Sequence, residues 1–233
     1  MTHSASQRGS SFFLILLGIA IFAALSFAVL QGGRVSQSSL SGDQARLAAQ
    51  DIIQYADTVA KAVQTLRLRG CSDTQISFAG HPNGAANPSA PTDESCHVFS
   101  LSGGKVNAKI ADSNYYNTGN NWSGQWRFTG DDDLIGIGTN GCSDNSCAEL
   151  IMTLYDVKQD ICAAIEKIAA ENTTIPTEND AMLWNSFAGT YNATPEIVGD
   201  DTGGVPMRGR GSGCFFEDGG ANAYVYYQVL IAR

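Results

Sequence analysis

The chain has 233 residues, with 23 acidic against 14 basic side chains and a formal charge of −9. Arg8 and Arg34 flank an apolar run and every acidic residue lies at or after Asp43, so the part beyond Arg34 holds 12 basic and 23 acidic residues, a formal charge of −11. A surface that acidic repels nucleic acid and anionic lipid, and the length suits one ectodomain with a sizeable core.

In chain order, the first element is the run Phe12 to Leu30, 19 residues with only Gly18 and Ser26 as small or polar interruptions. At ~1.5 Å per residue it is long enough for a bilayer core of ~30 Å. A secretory signal is the rival reading: Arg8 supplies a charged start, and Ser26-Phe27-Ala28 offers a peptidase site that would leave Val29 as the new terminus. Against that, the run exceeds the roughly 7 to 15 residues of a signal core, and no Pro, nor any Gly after Gly18, breaks the chain before the cut.

From Ser38 to Arg69 there is no Pro, and after Gly42 no Gly. Leu40, Leu47, Ile52, Tyr55 or Ala56, Val59, Val63 and Leu66 recur at helical steps, with Asp43, Arg46, Asp57, Lys61 and Arg67 on other faces. Gly70, after Leu68-Arg69, is a stop signal. The expectation is a leader over 1–9, a membrane-spanning half-helix over 10–34, and an amphipathic stalk helix over 35–70. The membrane half would run on into the amphipathic one, with Gly32-Gly33 permitting a kink or a short unwound turn between them; helical throughout from Phe12 to Arg69, the run would be on the order of 85 Å long. In the membrane half, Gly18, Ala20, Ala23 and Ala24 permit close helix approach.

Residues 71–233 hold all six cysteines, an even set that suits an oxidising compartment. The preferred pairing is Cys71 with Cys96 and Cys142 with Cys147, each bracketing a loop-like stretch, which leaves Cys162 with Cys214. A zinc site including His97 is the alternative, disfavoured because no C-x-x-C pair occurs. "TQISF", "HVFSL", "GGKVNAKIA", "GQWRFTG" and a segment from Leu134 in "DDDLIGIG" read as short strands, and Tyr224 to Ala232 as a covered one. Leu150, Leu154, Val157, Ile161, Ile165 and Ile168 predict a second helix near 148–170. The fold class is therefore α+β: a long N-terminal helix packed on an antiparallel sheet, arranged as a meander.

Catalytic motifs are sparse. Of the histidines, His3 precedes the apolar run, His81 is in a Pro/Gly loop and His97 adjoins a cysteine; no G-x-S-x-G follows Arg34, so no hydrolase is expected. Trp122 and Trp126, with Tyr115 and Tyr116, could form a ligand or partner surface, weighed against the commoner role of core or loop packing. Asp131, Asp132 and Asp133 could offer oxygens to calcium, but lack the spaced D-x-D-x-D-G pattern; a solvated acidic turn is the favoured alternative. Asp200-Asp201 and Asp144 carry the same two readings more weakly. No cofactor is otherwise indicated. Three N-x-S/T triplets, at Asn121, Asn172 and Asn192, match the glycosylation pattern by composition alone.

The leader ending in Arg8-Gly9, the uncharged apolar run and the amphipathic extension into a Cys-containing, Gly/Asn-rich domain together resemble type IV pilins and type II secretion pseudopilins. That resemblance implies prepilin peptidase cleavage after Gly9, Ser10 as the new amino terminus, and an assembly helix that includes Phe12, Phe13 and Leu14. It implies other pilin-like subunits as partners, a single pass of the inner membrane with the N-terminus cytoplasmic, and a periplasmic or extracellular C-terminal domain. It also raises the calcium reading, because some pseudopilins bind calcium. The chain departs from the pattern at the fifth mature position, where Leu14 replaces the usual Glu. A carboxylate in lipid is tolerable only when paired, so its absence points to a minor tip or initiating subunit rather than a shaft subunit. The alternative is an anchored or exported adhesin-like binding domain with no polymerising role.

Overall fold

The computed structural model describes residues 15, 17–21, 41–142, 144–171, 174–180, 182–183, 185–220 and 222–233. They fall into two compact units, Met1–Ser41 and Gly42–Arg233. In the first, residues 15 and 17–21 are helical with exposed side chains, Gly18 and Ala20 among them. Gly9, Ser10, Phe12, Phe13, Leu14, Ala23, Ala24 and the Gly32-Gly33 pair lie outside the described residues.

The expected continuous helix from membrane half to stalk is corrected. Among the described residues no helix is long and apolar enough to cross a membrane, and Ser41 is not helical. The helix that is present, α1, spans Gly42–Leu68. Three serines and a glycine surround its start in "SSLSG", residues that prefer caps and turns to helix interiors, and Asp43 in the first turn suits the helix dipole. Its end is the expected one. Gly70 takes φ +100°, while the Cys71 N–H donates to the Leu66 carbonyl at 3.1 Å and the Gly70 N–H to that of Arg67 at 3.0 Å, the bond pair of a Schellman ending.

The buried face of α1 carries Ala45, Ala48, Ala49, Ile52, Tyr55, Ala56, Val59, Ala62, Val63 and Leu66. Leu47, assigned to the stripe from its spacing, is 66% exposed. Alanines set the phase at this end of the helix, letting α1 lie close to its neighbours, while the larger Ile52, Val59, Val63 and Leu66 each contribute roughly 1.5–3 kcal/mol of burial. α1 is thus part of the C-terminal unit rather than a separate stalk.

Six strands form one sheet: β1 Trp126–Leu134, β2 Glu149–Tyr155, β3 Thr177–Glu178, β4 Glu196–Val198, β5 Ser212–Glu217 and β6 Ala223–Ile231. Their order is β3-β5-β6-β2-β1-β4. The four inner strands are antiparallel, but β3 runs parallel to β5 and β4 parallel to β1, so the sheet is mixed and not an antiparallel meander. The second helix, α2, spans Gln159–Ala170; the first half of the segment expected to be helical, from 149, is β2 instead. All seven β2 residues are buried. A central strand covered on both faces shows no alternation, and the chance spacing of Leu150, Leu154 and Val157 imitates a helical stripe.

The two strands expected around Trp126 and Leu134 are one, with an irregular register between Thr129 and Asp132. Of "TQISF" and "HVFSL" only a Ser77–His97 bridge forms, and "GGKVNAKIA" is irregular. This region is held by side chains: Phe78 stacks on Phe128 at 4.1 Å, and Cys71–Cys96 ties its base to the end of α1. The other bridges are Cys142–Cys147 and Cys162–Cys214, the latter joining α2 to β5. All three pairings are those expected.

The sheet is covered on both sides. α1 packs on α2 and β6, with Tyr55 against Trp126 at 5.1 Å and Trp126 against Tyr226 at 6.2 Å. On the opposite face Ile151, Tyr155, Phe215, Val225 and Tyr227 are covered by Met182, Val198 and Met207 from the connections that include β4.

Candidate functional site

The two tryptophans do not share a surface. Trp126 is buried in the core, whereas Trp122 is 43% exposed and lies under the Arg127 guanidinium at 4.0 Å. The Asn- and Gly-rich loop around Trp122 is pinned from inside by Asp156, whose carboxylate accepts from Asn117, Asn120 and Ser123 at 3.2, 3.2 and 2.6 Å. Those polar residues are accounted for as loop anchors.

His81 is buried, its Nδ1 accepting from the Asn83 N–H at 3.2 Å and its Nε2 lying 3.1 Å from the Lys109 carbonyl. Burial lowers its pKa. With both ring nitrogens on backbone groups and Phe99 and Phe128 against the ring, it is a core histidine.

Asp131, Asp132 and Asp133 are neither a solvated turn nor a gathered cation site. All three are buried in β1 and serve different backbone groups. Asp131 accepts from the Asn185 N–H at 3.0 Å and Asp132 from the Leu183 N–H at 2.7 Å. Asp133 accepts from the Gly141 N–H at 3.1 Å and from Asn140 at 3.0 Å. They clamp two loops onto the strand. Burial raises the Asp132 pKa well above the usual carboxylate range.

Glu149 belongs to the same neighbourhood. It is buried, and its Oε2 accepts from the Leu134 N–H at 2.8 Å. Burial, with repulsion from Asp133 added, pushes its pKa from 4.5 up to about 8. The folded state therefore keeps a proton that the unfolded chain releases, so this group's contribution to stability is lost as pH rises from about 4.5 to about 8. Glu149→Gln keeps the acceptor without the charge. Urea unfolding should show the variant gaining on the parent by roughly 2–4 kcal/mol between acidic and mildly alkaline pH; a difference independent of pH would contradict the assignment.

A second acidic group was not legible as a unit. Glu178, Asp180, Asp200 and Asp201 each offer one carboxylate oxygen, and these oxygens all lie within 4.8 Å of one another. The first two belong to β3 and the residues after it, the others to the turn after β4; the sequence separates them by about twenty residues, and only the Asp200-Asp201 pair carried a signal. Glu178 is fully buried, Asp180 and Asp201 half-buried and Asp200 exposed. Burial, with repulsion from Asp201 and Asp200 added, pushes the Glu178 pKa up to about 7, and burial with Asp200 raises Asp180.

No protein-family model, curated protein or solved structure matches the chain.

Proposed function

We propose that the chain is a minor, pilin-like structural subunit without catalytic activity, held in the inner membrane by its apolar segment and presenting the Gly42–Arg233 unit outside the cytoplasm. The observation that carries this reading is the coincidence of two features: all six cysteines are paired within the unit that follows the apolar run, and Arg8-Gly9-Ser10 precedes that run. Disulfides call for an oxidising compartment. The run can be retained either uncleaved or after a cut ahead of it, and Arg8-Gly9-Ser10 offers a cut of the second kind.

Contacts with other subunits fall to the apolar segment, where Gly18, Ala20, Ala23 and Ala24 allow close approach and Leu14 removes the charge that would favour repeated stacking. Fractionation of a bacterial host tests the topology. The protein is expected in the carbonate-resistant membrane fraction, with its C-terminal unit accessible to protease from the periplasmic side and oxidised on non-reducing gels. Release as a soluble protein starting at Val29 would replace the subunit reading by an exported binding domain.

A further inference from the structure

The carboxylates of Glu178, Asp180, Asp200 and Asp201 meet between two segments already fastened to each other. The Gly199 N–H donates to Glu178 Oε2 at 2.7 Å, the Asn179 N–H to Asp201 Oδ2 at 2.7 Å, and the Thr177 N–H to the Gly203 carbonyl at 3.3 Å. Gly204 makes the approach possible: a Cβ there would fall 2.1 Å from Glu178 Oε2.

Glu178 supplies an independent sign of a ligand. It is fully buried within this group, yet among the described residues its second oxygen, Oε1, has no hydrogen-bond donor. A buried carboxylate oxygen left unpaired beside three further acids is costly on its own and ordinary beside a cation. Among the described residues no basic side chain is seen in that role. Arg208 donates instead to the backbone carbonyls of Gly199 and Asp200, at 2.6 and 2.8 Å, and the ion pairs Lys109–Asp51, Arg210–Glu166 and Arg233–Asp73 lie elsewhere.

Oxygen-only donors select a hard cation; calcium, with bonds of ~2.4 Å and tolerant geometry, suits four carboxylates whose oxygens lie within 4.8 Å of one another, whereas magnesium, at ~2.1 Å, demands a near-ideal octahedron and keeps several of its waters. The exposed Asp200 gives an entry path. We infer that these four residues bind one divalent cation of the calcium class, which clasps the β3 edge of the sheet to the turn that follows β4.

The full chain in detergent, stripped with EDTA, is titrated with calcium chloride by calorimetry and melted with and without the ion. One calcium per chain, weaker magnesium binding and a rise in Tm with calcium are expected. The Asp180→Asn/Asp201→Asn variant keeps oxygen acceptors and sheds like charges, so it should melt no lower than the parent in EDTA yet bind calcium at least about tenfold more weakly. An absence of calcium binding by the oxidised, folded parent at about 10 mM, above the usual range for weak extracellular sites, would overturn the site. So would magnesium binding more tightly than calcium, or equal calcium affinity in the folded variant.

Discussion

Replacing Cys162 and Cys214 by alanine should lower the free energy of unfolding by about 4 kcal/mol, the largest loss among the three bridges. The two cysteines are 52 residues apart, against 25 for Cys71–Cys96 and 5 for Cys142–Cys147. The chain-entropy relation gives roughly 4, 3.5 and 2 kcal/mol in that order. The long loop includes β3, β4 and the connections that cover one face of the sheet, so in the unfolded chain this bridge restrains the segment that must find its place over the core. Both sulfurs are buried, and the alanine pair also loses packing between α2 and β5. Guanidinium unfolding of the three double-alanine variants reads the order directly. A loss under about 1 kcal/mol for Cys162→Ala/Cys214→Ala would contradict the account.

The second large effect is expected at Arg210→Met, about 3–5 kcal/mol of destabilisation near neutral pH. Glu166 on α2 is buried, and both its oxygens meet the Arg210 guanidinium at 2.8 Å; Oε1 also accepts the Cys214 N–H at 2.8 Å. The pairing in turn holds the arginine's pKa above its ordinary value. Removing Arg210 leaves a buried anion with a single backbone donor, whereas adding Glu166→Gln to the variant removes the stranded charge. The double variant Glu166→Gln/Arg210→Met should therefore recover a large part of the loss. A double variant no more stable than Arg210→Met would show that the cost came from the arginine's packing rather than from the charge. Because Glu166 bonds to the Cys214 backbone, this effect and that of the disulfide are not additive.

What could be read from the residues alone depended on how local the controlling physics is. The end of α1 was legible because Gly70 and the neighbouring carbonyls decide it within a few residues. The cysteine pairing was legible because two of the bridges close loops visible in the composition. β2 was not: Glu149–Tyr155 is buried on both faces, which erases the two-residue alternation that marks a half-exposed strand. β3 and β4, of two and three residues, are too short to carry a period at all, and their parallel pairing is set by tertiary contacts. Asp131, Asp132 and Asp133 illustrate the same limit for sites. Three adjacent acids suggest solvent or a cation, yet each is buried on a backbone N–H from another loop. The four-carboxylate group joins residues distant in sequence, and its central member, Glu178, stood out in no motif.

The central claim, retention of the apolar segment in a processed, membrane-held subunit, is tested most directly by the intact mass and N-terminal sequence of the protein extracted from membranes. The expected chain begins at Ser10, with its terminal amine methylated and six cysteines oxidised. An extracted chain that still begins at Met1 would contradict it.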